Sequence, residues 1–218
     1  LTSEDDAVRA RAITLLSRVM GHVAAQAPQR LSRQAVRTLS EFFSAKVSDA
    51  VIVGDSMAQR MNEAPHVPAS APRASLQAEE DRAMQADGML VECVRALRVL
   101  SGLPAPAGAM ASDARTIAAA LFGLDLRKYP QPLRFLVYDV VRTLVERHLG
   151  ALRAMRVPDG ADGSAFVRGY AQLVGGEKDP RNLLVLFGVA RTLLTAWPMQ
   201  ARTGRMPPCP GIASPRQI

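Results

Sequence analysis

Residues 175–184 read Gly175-Gly176-Glu177-Lys178-Asp179-Pro180-Arg181-Asn182-Leu183-Leu184. The two glycines stop a helix, because glycine enters the left-handed conformation without a Cβ penalty. Asp179 and Pro180 start another. An aspartate at the N-cap accepts backbone N–H bonds, and proline at the first helical position loses no needed donor. Apolar residues at helical spacing lie on both sides of this corner. Phe166, Val167, Tyr170, Leu173 and Val174 precede it; Leu183, Leu184, Leu186, Phe187, Ala190 and Leu193 follow. The stretch is a tight helix–turn–helix corner. Glu177 and Lys178 are expected to project from it, and Arg181 to reach a carboxylate of an adjacent helical pair.

Further amphipathic helices lie upstream, with only weak sequence similarity among them. Before the corner, a Gly-rich link at 159–163 follows what is expected to be the longest helix, roughly 132–155, with the apolar stripe Leu133, Leu136, Val137, Val140, Val141, Leu144, Val145, Leu149 and Leu152. Ser112 and Asp113 open a short helix through Ile117, Leu121 and Phe122. Leu90, Val94, Leu97 and Leu100 share one face of a helix that is clear from Met89 to Leu100. Ser32 caps a helix of about 33–48, buried through Val36, Leu39, Phe42, Phe43 and Val47. Residues 3–25 form the first helix, with Ser3 as cap and Val8, Ala12, Leu15, Val19 and Val23 on its inner face. The strand-like run 50–54 has no partner strand, so it starts a helix or forms a buried connection. Pro65, Pro68 and Pro72 mark 62–80 as a disordered insertion, and the Pro-rich stretch 198–218 as a disordered tail.

About seven helices in antiparallel pairs imply an all-α chain, with 1–197 as one helical domain. Each pair is apolar on two sides and needs neighbours, the logic of an α-solenoid. Asp5-Asp6-Ala7-Val8-Arg9, then Ala12 and Leu15-Leu16, resembles the Asp…Val-Arg…Ala…Leu pattern of HEAT repeats. A compact helical bundle is the competing architecture.

Composition agrees. Of 218 residues, 48% are hydrophobic but only 5% aromatic, so Ala and Leu carry the apolar content and a β-sandwich is excluded. No apolar run approaches the roughly 18–20 residues of a membrane span. The chain opens on Leu1 rather than Met, and reads as a piece of something longer. Net charge is +7, a first hint of nucleic acid or another acidic partner. Residues 127–156 hold seven basic and two acidic side chains, a net +5. Arg134, Arg142, Arg147 and Arg153 lie away from most of the apolar stripe, which reads as a solvated basic face.

Catalytic and metal chemistry finds no support in the pattern. There is no phosphate-binding Gly-x-x-x-x-Gly-Lys loop and no Gly-x-Ser-x-Gly elbow. His22, His66 and His148 are scattered, and none pairs with Cys93 or Cys209 at ligand spacing, so neither metal nor cofactor is expected. His22 reads as partly packed, His148 as a surface residue and Cys93 as a small buried hydrophobe. Two cysteines 116 apart make no disulfide framework, which reads as an intracellular chain. The candidates for function are the polar corner residues Glu177, Lys178, Asp179, Arg181 and Asn182, as partner-binding groups on a rigid scaffold.

The run from Phe166 to Phe187, with Gly-Glu-Lys-Asp-Pro-Arg-Asn-Leu-Leu at 176–184, resembles the N-terminal domain of the MMS-nineteen (Met-eighteen) DNA repair and transcription family. Leu39-Ser40-Glu41-Phe42-Phe43 with Val47-Ser48-Asp49, and Leu1 to Asp6 with Val8-Arg9-Ala10, are similar to further segments of it. The resemblance covers about 1–195. It departs at the 62–80 insertion and after Trp197, where the family continues into many more HEAT repeats. It implies a non-enzymatic adaptor of the cytosolic iron–sulfur assembly targeting complex, in cytoplasm and nucleus. Its partners would be the other subunits of that complex and iron–sulfur apoproteins such as helicases and polymerases, with no membrane and no direct nucleic-acid contact. A basic HEAT-type module that binds nucleic acid or acidic peptides is the alternative.

Overall fold

The computed structural model describes residues 6–63, 73–104, 111–155 and 165–196; side chains are described within 7–51, 88–104, 112–155 and 165–196. Seven α-helices and no strand occur among the described residues. They are α1 (Asp6–Gln26), α2 (Arg33–Glu63), α3 (Arg73–Gly102), α4 (Ala111–Phe122), α5 (Gln131–Arg153), α6 (Ala165–Val174) and α7 (Pro180–Ala196). The longest are α2 and α3, at 31 and 30 residues, and not α5, at 23. Short 3₁₀ turns at Pro28–Arg30 and Leu126–Lys128 lead into α2 and α5.

The helices form two layers. In one, α1 packs on α3, α3 on α5 and α5 on α7; in the other, α2 packs on α4 and α4 on α6. Contacts of α2 with α3 and of α4 with α5 join the layers. Each helix therefore meets the helix two places on, which is the arrangement of an α-solenoid.

The caps explain several boundaries. Ser32 Oγ accepts from Ala35 N–H at 3.1 Å and starts α2. The 50–54 run does not start a new element; it lies inside α2, because an apolar run can ride on a helix already nucleated. Helix α3 begins at Arg73, so the interval between helices is shorter than 62–80; residues 64–72, Ser3 and 197–218 fall outside the described residues.

The core follows the expected stripes in the middle of the chain. Leu90, Val94, Leu97 and Leu100 of α3 are buried, as are Leu133, Val137, Val140, Val141, Leu144, Val145 and Leu152 of α5, with Leu136 and Leu149 packed at its margin. Cys93 is buried and free, and burial pushes its thiol up to about 12. The end helices differ from expectation. In α1 the inner face is Ile13, Ser17 and Met20, while Val8, Leu15 and Val19 are exposed, as is His22. Ser17 Oγ donates to Glu92 O of α3 at 3.2 Å, which accounts for a serine on the inner face. In α7 the buried line is Asn182, Leu186, Val189 and Leu193, while Leu184 and Phe187 are exposed. Both helices carry apolar residues on two faces, so periodicity alone does not choose between them.

Gly169 lets α6 approach α4. A Cβ there would overlap the Phe122 ring, which also packs edge-on against Phe166 with centroids 5.1 Å apart.

Candidate functional site: the corner between α6 and α7

The corner is built from its backbone inward. Gly176 takes φ +85°, the left-handed stop that lets the chain leave α6. Asp179 then caps α7: its Oδ1 accepts from Arg181 N–H at 2.9 Å. Arg181 does not reach an adjacent helical pair. Its guanidinium turns back on the same aspartate, at 3.1 and 3.3 Å, because Asp179 is the nearest carboxylate to an exposed side chain. The Arg181 hydrogen bond holds the Asp179 carboxyl below the usual carboxylate range.

Glu177 does not project. Its side chain is 2% exposed and points into the solenoid. Oε1 accepts from the backbone N–H groups of Lys178 (2.9 Å) and Asp179 (2.8 Å), and from Arg134 Nη2 (3.3 Å). Oε2 accepts from Arg134 Nε (2.9 Å), Tyr138 Oη (3.0 Å) and Asn182 Nδ2 (2.9 Å). Burying a carboxylate is costly unless donors replace its water. Here burial pushes the carboxyl up, but Asp179 N–H, Asn182, Arg134 and Lys178 N–H more than offset that and hold it at about 2. Burial, then the bond to Glu177, pushes the Tyr138 phenol up.

The network extends outward. Gln131 Nε2 donates to Asn182 Oδ1 at 3.2 Å, and Arg134 Nη1 donates to Tyr129 O at 3.0 Å. The side-chain amide of Asn182 is thus satisfied on both sides although the residue is fully buried. Three α5 residues, Gln131, Arg134 and Tyr138, meet two corner residues, Glu177 and Asn182. None of the three was singled out from the sequence as a partner of the corner. The signal was present as a polar line at i, i+3 and i+7 on the first turns of α5. Of the expected five, only Lys178 and Arg181 stand exposed; Asn182 and the side chain of Glu177 are buried, and Asp179 serves as the cap.

The basic face of α5 is partly paired. Arg134 is bound to Glu177; Arg142 pairs with Asp139, which also takes Arg98 of α3; and Arg153 donates to Ala196 O of α7. Arg142, Arg147 and Arg153 are nonetheless exposed, as expected of a solvated face, and only Arg134 is drawn inward to the corner. His148 is half-buried rather than on the surface, with Nε2 3.2 Å from Ser101 O.

Chemically, a carboxylate held at about 2 with three donors on each oxygen cannot act as a general base near neutral pH. No group of three or more His, Cys, Asp or Glu able to hold a metal ion occurs among the described residues.

Against known families, the model described as "Dos2-interacting transcription regulator of RNA-Pol-II", the N-terminal MMS19 model, matches residues 1–67 and 80–206. The chain belongs to this family. The gap in the match, 68–79, falls inside the stretch expected to be an insertion. The match also runs past Trp197 to residue 206, so the family pattern persists beyond the expected point of departure. The DNA repair/transcription protein mms19 of Schizosaccharomyces pombe is 23% identical over 200 residues, covering 91% of this chain and 15% of that protein. The MMS19 nucleotide excision repair protein homolog of Danio rerio is 27% identical over 198 residues, covering 89% of this chain and 14% of that protein. This chain thus spans about 15% of the length of the curated relatives it matches. No solved structure matches it significantly.

Proposed function

We propose that this chain is part of a non-enzymatic scaffold for cytosolic iron–sulfur protein assembly. Such a scaffold presents assembly-complex subunits to apoproteins of DNA repair, replication and transcription. The observation that carries the proposal is the family match over 1–67 and 80–206, supported by relatives named for DNA repair and transcription. An α-solenoid offers long side surfaces without needing a cleft for chemistry, which suits an adaptor. The proposed location is cytoplasm and nucleus, where assembly and clients are found. No helix among the described residues is long and apolar enough to cross a membrane.

Affinity purification of the protein from growing cells tests this. The expected result is co-recovery of iron–sulfur assembly subunits together with cluster-containing helicases or polymerases. Recovery of neither group overturns it.

A further inference from the structure

The buried face of α2 is built differently from that of α5. Over its described side chains it runs Val36, Ser40, Phe43, Ser44 and Val47, and the helix packs on α3 and α4. Helix α5 instead buries a long line of Leu and Val. Both serines of α2 are buried. Among the described residues neither Oγ has a hydrogen-bond partner, and neither oxygen is open to water. A hydroxyl inside a helix often bonds the carbonyl four residues back, as Thr143 does on α5 at 2.9 Å. A buried hydroxyl without a partner has given up its water and gained no bond in return.

The neighbours of α2 share the trait. On α3, Glu92 Oε2 is buried and unpartnered, while Arg95 takes the other oxygen. On α4, Asp113 is buried, and no hydrogen bond from a described residue reaches its carboxylate. Burial pushes that carboxyl up. Arg37 of α2 attracts it, but the guanidinium donates to Glu41 instead, at 2.9 Å. The other end of the chain is the opposite case. There Glu177 and Asn182 are saturated, and buried Asp139 takes both Arg98 and Arg142.

We infer that α2 is the yielding element of this solenoid: its packing on α3 and α4 opens locally while α5–α7 stays closed, which gives the first helical pair a joint. Polar groups buried without partners lower the cost of opening, since water satisfies them once the packing parts. Elements that move are drawn from the low-stability end of a structure. The joint follows from packing alone and does not depend on which partners the scaffold takes.

Native-state amide hydrogen exchange on the 218-residue chain tests the inference. Amides of α2 between 36 and 47 are expected to exchange through an opening about tenfold or more populated than the one that frees α5 amides between 137 and 145. Ser40→Ala with Ser44→Ala should lower the α2 opening constant about tenfold or more, because no hydroxyl is then left to desolvate. The same change at Ser17, whose Oγ donates to Glu92 O at 3.2 Å, should raise the opening of α1 instead. Leu186→Val loosens α7. It should raise the opening constants of α5 and α7 and leave that of α2 unchanged, since α2 opens on its own. Equal opening constants for α2 and α5, an α2 opening that Leu186→Val raises in step with α5, or a double serine variant that fails to lower it would overturn the joint.

Discussion

The guanidinium of Arg134 grips both carboxylate oxygens of Glu177 from 43 residues away in sequence, at 2.9 Å and 3.3 Å. This pair fastens the α6–α7 corner to the start of α5. Removing one partner of a buried pair leaves the other uncompensated. Glu177→Gln should therefore cost about 3 kcal/mol in denaturant unfolding. A loss below about 1 kcal/mol would mean the corner holds without it.

The same carboxylate sets an acid limit. Its folded value of about 2 lies below the ordinary 4.5. A lowered value means the folded state binds the proton less readily than the unfolded one. The stabilisation is full above pH 4.5 and is lost as pH falls from there through about 2. Urea midpoints between pH 5 and pH 2 should fall more steeply for the parent chain than for Glu177→Gln. Parallel profiles would contradict the assignment.

Asp179 caps α7 through the Arg181 N–H. Asp179→Ala should cost about 1 kcal/mol, while Asp179→Asn or Asp179→Ser should retain most of the stability. Thermal melts of the three variants check the order.

Two helical glycines should respond with opposite signs. At Gly169 a methyl would meet the Phe122 ring, so Gly169→Ala should destabilise by about 1–3 kcal/mol. At Gly188, on exposed α7 backbone, nothing lies within 4 Å, so Gly188→Ala should stabilise by up to about 1 kcal/mol. Chemical denaturation of both variants decides.

Neighbouring leucines on α7 distinguish its faces. Leu186 is 4% exposed and Leu184 is 76% exposed. Leu186→Ala should cost about 2–5 kcal/mol and Leu184→Ala less than about 0.5 kcal/mol in this chain. Similar costs would place α7 in a different rotation.

Much of the architecture was legible because local signals are strong at several helix ends and on the helices in the middle of the chain. Ser32, the glycine pair at 175–176 and Asp179-Pro180 fix helix ends by their own chemistry. The stripes of α3 and α5 fix their buried faces, since each lies between neighbours in the stack. The end helices were misread for a physical reason. Val8, Leu15 and Val19 on α1, and Leu184, Phe187 and Leu194 on α7, form second apolar faces that the described residues leave uncovered. The site was half legible. Its glycine stop and cap are local, but the destination of Glu177 depends on Arg134 and Tyr138, which sit 43 and 39 residues away. Spacing along one chain cannot reveal a pairing set by which helices stack.

The central functional claim is delivery of iron–sulfur clusters through this scaffold. Radioactive iron incorporation into a cluster-dependent DNA helicase, measured in cells depleted of the protein, tests it most directly. The account predicts a severalfold fall in incorporated iron, restored by re-expression, with synthesis of the helicase polypeptide unchanged. Normal iron incorporation in depleted cells would contradict it.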